Sequence, residues 1–235
     1  SANEIKFCHF FYPEIKEFLN EKDKKEIEDQ ILAIDPDVFN NFDEKRLIGE
    51  NDLYICQLIR NDSVKDFISH VTRTNFSLSS TIKPSIFETN PFLADKNPSL
   101  IEYSAFYGSI QIFTYLKLNQ VELTPSLWFY AIHSQNAEII HILEDDHIDP
   151  NKEKSYLQCL KEAIKTHSND ICNYFLNNYF NDDEEEKVKD ILMNCFKYYN
   201  FAFIQNNYIN QSSFNLLCQY DYYLFVKKLL EIDEI

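Results

Sequence analysis

Glycine is nearly missing from these 235 residues, with two in the whole chain. That scarcity excludes the Gly-rich loops that cradle phosphates and most of the tight-turn chemistry that open all-β folds need. Basic side chains are also in the minority, 22 Lys and Arg against 38 Asp and Glu, for a formal charge of -16 at neutral pH. Such a surface repels phosphate backbones and anionic lipid, so neither nucleic acid nor a membrane is expected as a partner, whereas a basic protein surface suits it. No apolar run approaches the roughly 20 residues a membrane-spanning helix needs. No basic n-region, apolar h-region and small-residue cleavage site open the chain, and secretion is not expected. No C-x-x-C pair occurs among Cys8, Cys56, Cys159, Cys172, Cys195 and Cys218. Most of them sit at apolar helical positions, where a reduced thiol acts as a small hydrophobe. The expectation is a protein of the cytoplasm or nucleus, without disulfides, metal or cofactor.

What the chain does have is Phe and Tyr in quantity, 20 and 15 residues, with abundant Asn, Ile and Lys. It also has an internal echo. Five apolar doublets are each followed eight positions later by a second one. They are Ser104-Ala105 with Ile112-Phe113, Ala131-Ile132 with Ile139-Ile140, Ala163-Ile164 with Ile171-Cys172, Cys195-Phe196 with Phe203-Ile204, and Leu217-Cys218 with Phe225-Val226. A short helix, a tight turn and a returning antiparallel helix produce that spacing. Neither helix buries its apolar stripe without a neighbouring pair. The pattern predicts an all-α fold, an α-solenoid of stacked helix-turn-helix repeats. The first doublets are separated by 27, 32, 32 and 22 residues, so the length variation falls in the connectors between pairs.

Three segments follow from this reading. Residues 1–50 form an N-terminal helical preamble that caps the array; within it Asp35 and Pro36 read as an N-cap and first-turn proline, one helix ending near Ile34 and the next opening at once. Residues 51–96 hold a degenerate first repeat of imperfect spacing. They also hold a connector, from Arg73 to Pro98, that carries Pro84, Pro91 and Pro98 and is expected to be functional or loosely ordered. Residues 97–235 are the repeat array. Its acidic tract from Asn181 to Lys187 reads as the first turn of a helix that continues through Val188, Ile191 and Leu192. No polar capping helix follows Phe225 and Val226, so the last repeat is expected to expose an apolar face.

The stretch from Thr124-Pro125 through Ala131-Ile132, Ile139-Ile140 and Leu143 to Asp149-Pro150-Asn151 resembles the ankyrin repeat. In the preceding repeat Gly108 falls at the ankyrin glycine, a place Gln135 takes in this one. The chain as a whole is similar to the divergent ankyrin-type proteins, without an established biochemical role, that are greatly expanded in trichomonad protists. That resemblance implies an ankyrin-like solenoid and contact with other proteins, made by the first helices and connector edge of a concave face. The residues it assigns to that face are Tyr103, Phe106, Tyr107, Tyr130, His133, Tyr198 and Tyr220. Tyrosine gives large amphipathic contact area at low entropic cost. The same rings also suit the space between repeats, and both roles stay open at this point.

Chemistry has weaker support. His133, His141 and His147 lie among Asp145, Asp146 and Asp149, but no two of the histidines have the three- or four-residue separation that puts two ligands on one helix face. His9 beside Cys8 and His167 near Cys172 come with no orienting third group or oxyanion-forming turn. The expected function is a non-enzymatic protein-interaction module, a scaffold or adaptor. The alternatives are self-association as a dimer through the uncapped last repeat and, more remotely, a metal-dependent hydrolase.

Overall fold

The computed structural model describes residues 7–94, 96–150, 155–180, 185–204 and 213–232. Regular structure among them is helical, apart from one isolated antiparallel bridge between Thr81 and Ser99. Among the described residues no helix is long and apolar enough to cross a membrane. The chain divides into two compact units, one of Ser1–Ser104 with Gln111–Glu122 and the other of Ala105–Ile110 with Leu123–Ile235.

In the first unit a single helical turn, Tyr12–Ile15, runs into a 3-10 turn, Lys16–Phe18, and the longer helices that follow include α1 (Glu21–Ile34), α2 (Phe42–Ile48), α3 (Tyr54–Arg60) and α4 (Val64–Thr74). α1 opens on an N-cap: the Asn20 side chain accepts the Asp23 N–H at 2.9 Å. It ends at Ile34 as expected, but no helix opens at once. The Asp35 carboxylate accepts the Asp37 N–H at 2.9 Å, an Asx-type turn, and α2 begins only at Phe42 after left-handed Asn41. Tyr12, Ile31, Val38 and Phe42 share a core with Ile86 and Phe87. The preamble therefore packs on the connector.

That connector is an ordered part of the core. Ile82, Ile86, Phe87 and Leu93 are buried. Its base is closed by Ile82 N–H to Pro98 O at 2.7 Å and Leu100 N–H to Ser80 O at 3.2 Å, and its tip by Thr89 N–H to Gly49 O at 3.1 Å. Buried Asn51 fastens it further: its side-chain amide donates to Lys83 O at 2.9 Å, and its N–H donates to the Glu88 carboxylate at 3.3 Å.

α5 (Leu100–Tyr107) and α6 (Ile110–Leu118) carry the first doublet pair. In the second unit follow α7 (Leu127–Ser134), α8 (Ala137–Asp145), α9 (Tyr156–Lys165), α10 (Asn169–Tyr179), α11 (Glu185–Lys197), α12 (Phe214–Gln219) and α13 (Tyr223–Ile232). α7 packs on α8, α9 on α10 and α12 on α13 as antiparallel pairs, while the first helices α7, α9 and α11 pack on one another in succession. The first doublets of the upstream four pairs are fully buried, as are Ile112-Phe113 and Ile139-Ile140. Trp128, also buried, donates its indole N–H to Ile148 O at 2.5 Å.

One turn recurs at the helix-pair junctions. The carbonyl of the first doublet residue accepts the N–H five residues on: Ala163 O from Ser168 at 2.9 Å, Cys195 O from Asn200 at 2.9 Å and Leu217 O from Tyr222 at 2.8 Å. A left-handed residue precedes each of these donors, His167, Tyr199 and Asp221, and Gly108 and Gln135 take the same place in the other two pairs. This is a Schellman-type helix end. Ser168 (φ −82°, ψ 67°) and Asn200 (φ −84°, ψ 68°) then form inverse γ-turns. The degenerate first repeat has the same turn: Leu58 O accepts Ser63 N–H at 3.0 Å across left-handed Asp62.

The fourth repeat departs from the expected pair. Phe203 is buried, but it lies in a single 3-10 turn, Phe201–Phe203, rather than in a returning helix. Residues 205–212, the start of the acidic tract at 181–184, and Asn151 lie outside the described residues.

Candidate partner-binding face

The seven residues singled out by sequence fall into different settings. Tyr103 belongs to the interior of the first unit at 1% exposure, and its hydroxyl accepts from Arg60 Nη1 at 2.9 Å. The same guanidinium pairs with Glu50 at 2.6 Å and donates to Asn51 O at 2.8 Å. Phe106 and Tyr130 are buried too, at 8% and 5%. These three rings therefore fill the interior and do not face a partner. Large aromatics are the richest source of buried area, and in this Phe- and Tyr-rich chain helix packing consumes them.

Tyr107, His133, Tyr198 and Tyr220 remain half-buried. Tyr107 meets Phe106 edge-on at 5.0 Å, and the Phe106 ring stacks on His133 at 5.1 Å. His133 Nε2 lies 2.9 Å from Glu162 Oε1 on the next first helix, and Lys165 Nζ reaches that same oxygen at 3.0 Å. One position before Glu162, Lys161 Nζ pairs with Asp190 of α11 at 2.7 Å. Contacts thus join successive first helices along a half-buried edge, one set running from Tyr107 through His133 to Glu162 and another pairing Lys161 with Asp190. Tyr198 carries the Lys197 ammonium 5.1 Å from its ring centre, and Tyr220 lies 6.4 Å from Phe196.

Glu162, Lys161 and Asp190 were not among the expected residues. Their signal is the constant interval of 29 positions between partners, His133 to Glu162 and Lys161 to Asp190. It identifies pairs only once the first helices are known to be neighbours. Burial pushes the Glu162 carboxyl up, but the hydrogen bonds from His133 and Lys165 outweigh it, and its pKa is held below the ordinary glutamate value. Lys161–Asp190, the more exposed of these pairs, adds at most about 1 kcal/mol, so it orients the helix edge more than it stabilises it.

Some of the groups weighed for chemistry, Cys172, His167 and His9 among them, have a packing or hydrogen-bonding role in the structure. Burial pushes the Cys56, Cys172 and Cys195 thiols up to about 12, which leaves almost no thiolate at neutral pH. His167 donates through Nε2 to Tyr198 O at 2.8 Å, and His9 through Nε2 to the Gln30 side-chain oxygen at 3.2 Å. Among the described residues no three His, Cys, Asp or Glu side chains converge as a metal site would require. Searches of protein-family models, curated proteins and solved structures return no match to this chain.

Proposed function

We propose that this chain is a non-enzymatic protein-interaction module, an ankyrin-type scaffold or adaptor that holds a protein partner against the exposed edge of its first helices. The observation that carries this reading is a set of contacts between successive first helices, Tyr107 through Phe106 and His133 to Glu162, and separately Lys161 to Asp190. Half-buried rings supply contact area, and fixed charges of both signs select register and orientation. The formal charge of -16 favours a partner with a basic surface and speeds encounter with it at low salt. None of the six cysteines is in a disulfide, which suits a reducing compartment, the cytoplasm or nucleus. No cofactor enters this reading.

The test is partner recovery by affinity purification from the native cell. The wild-type chain is compared with Tyr107→Ala, Lys161→Glu and the two combined, with helix content checked by circular dichroism. The combined variant should keep its helix content and lose the partner. Equal recovery by the folded variant would remove this edge as the binding face.

A further inference from the structure

α13 carries a different kind of outer surface from the second helices before it. At 100° per residue, Tyr223, Leu224, Lys227, Leu230 and Glu231 fall within one 120° arc of this helix, opposite Phe225, Val226 and Leu229. Tyr223 is 65% exposed, Leu224 76% and Leu230 54%. Counted from the second doublet of each pair, the place of Leu224 is held upstream by Gln111, Glu138 and Asp170, and the place of Tyr223 by Ile110, Ala137 and Asn169. An outward position that takes polar side chains in three earlier pairs is thus filled by a large apolar one here. Cys218 is exposed, whereas its upstream equivalents Ala105, Ile132, Ile164 and Phe196 are fully buried. Phe225 and Val226 are only half-buried.

We propose that the exposed face of the α12–α13 pair is an interface for a second copy of this chain, joined about a two-fold axis. Charge decides the occupant. A chain of formal charge -16 repels its own copy over most of its surface, and a basic partner is drawn to acidic ground. The outer arc of α13 offers neither obstacle nor attraction of that sort, because its two charges, Lys227 and Glu231, pair with each other at 3.7 Å. Two-fold contact lays apolar on apolar and lets Lys227 of one copy meet Glu231 of the other, so the surface complements itself and the assembly closes at two copies. The inference is independent of which partner the first-helix edge holds.

The experiment is a concentration series of the 235-residue chain by sedimentation velocity and light scattering, with Leu224→Glu and, as control, Leu118→Glu. Leu118 is equally exposed at 76% but lies on α6. The wild type and L118E should rise from the 28.0 kDa monomer toward twice that mass, while L224E stays monomeric. A wild type that is monomeric at every concentration would overturn the proposal, as would an L224E that dimerises like the wild type or growth beyond two copies. Should L224E lose helix content, hydrogen exchange of the wild type at low and high concentration decides instead. Concentration-dependent protection confined to 214–231 supports the interface, and protection elsewhere overturns it.

Discussion

The side-chain amide of Asn200 donates to the backbone carbonyl of Ile164, 36 residues upstream, at 3.0 Å. Ser168 does the same to Ile132 O at 3.3 Å, and the Tyr222 hydroxyl to Phe196 O at 2.6 Å. In each case the donor sits just after the left-handed residue of one turn, and the acceptor is the second doublet residue of the pair before it. These bonds link consecutive helix pairs through carbonyls near helix C-termini, each of which also accepts a turn N–H at 3.2–3.4 Å and uses its second lone pair for the neighbouring pair.

Asn200→Ala should therefore destabilise the second unit by about 2 kcal/mol, since it removes two side-chain bonds at a buried site, to Ile164 O at 3.0 Å and to Asn169 at 2.8 Å. Ser168→Ala, whose bond is longer, should lose about 1 kcal/mol. Urea unfolding checks both, and equal effects would contradict the ranking.

The left-handed turn residue offers a paired test of opposite sign. Gly108 has φ +67°, and a Cβ there would strain the backbone without meeting any atom closer than 3.4 Å, so Gly108→Ala should cost about 1 kcal/mol. Gln135, exposed at φ 56°, bears that strain already, and Gln135→Gly should gain about 0.5 kcal/mol. Thermal melts of the two variants should move in opposite directions.

Thiol labelling of the native chain should be sharply uneven. At concentrations where the chain is monomeric, exposed Cys218 reacts first and half-buried Cys8 next, while Cys56, Cys159, Cys172 and Cys195 react only on unfolding. Mass spectrometry of a quenched maleimide time course reads the order directly. Prompt labelling of Cys172 or Cys195 would contradict the packing of α9, α10 and α11.

Two carboxylates should titrate in opposite senses. Burial raises Glu88 above the ordinary glutamate pKa, despite N–H bonds from Asn90 and Asn51. The fold therefore binds its proton more readily than the unfolded chain does, and the penalty of its charge is relieved as pH falls through the folded pKa. Glu162 is lowered, so its contribution is present above the unfolded value of about 4.3 and is lost as pH falls through the folded pKa. Carboxyl NMR should place the Glu88 midpoint above that of Glu162. Glu162→Gln should cost about 1 kcal/mol at neutral pH, a difference that vanishes in acid.

Much of the helical architecture was legible in the doublets, because paired apolar positions at a fixed interval leave little but antiparallel helices to bury them. The turn was not. Its left-handed place is filled by Asp62, Gly108, Gln135, His167, Tyr199 and Asp221, and only the glycine announces its backbone geometry. The helix pair of α3 and α4 was legible only as an imperfect echo: eight positions after Leu58-Ile59 stands Asp66-Phe67, so half of the second doublet is polar. The connector escaped because Ile82, Ile86, Phe87 and Leu93 follow neither the helical nor the strand period, and their burial depends on partners far away in the chain. At the candidate face, exposure separates Tyr107 from Tyr103 although both flank the same doublet, and exposure is decided by packing that no local pattern encodes.

Hydrogen exchange at the backbone amides of Ser168, Asn200 and Tyr222 tests the recurrent turn most directly. Each donates across the turn to a first-doublet carbonyl at 2.8–2.9 Å, and all three should exchange as slowly as amides inside the flanking helices. Exchange at the rate of an open loop would mean that the doublets are not joined by this turn, and the stacked helix pairs would lose their support.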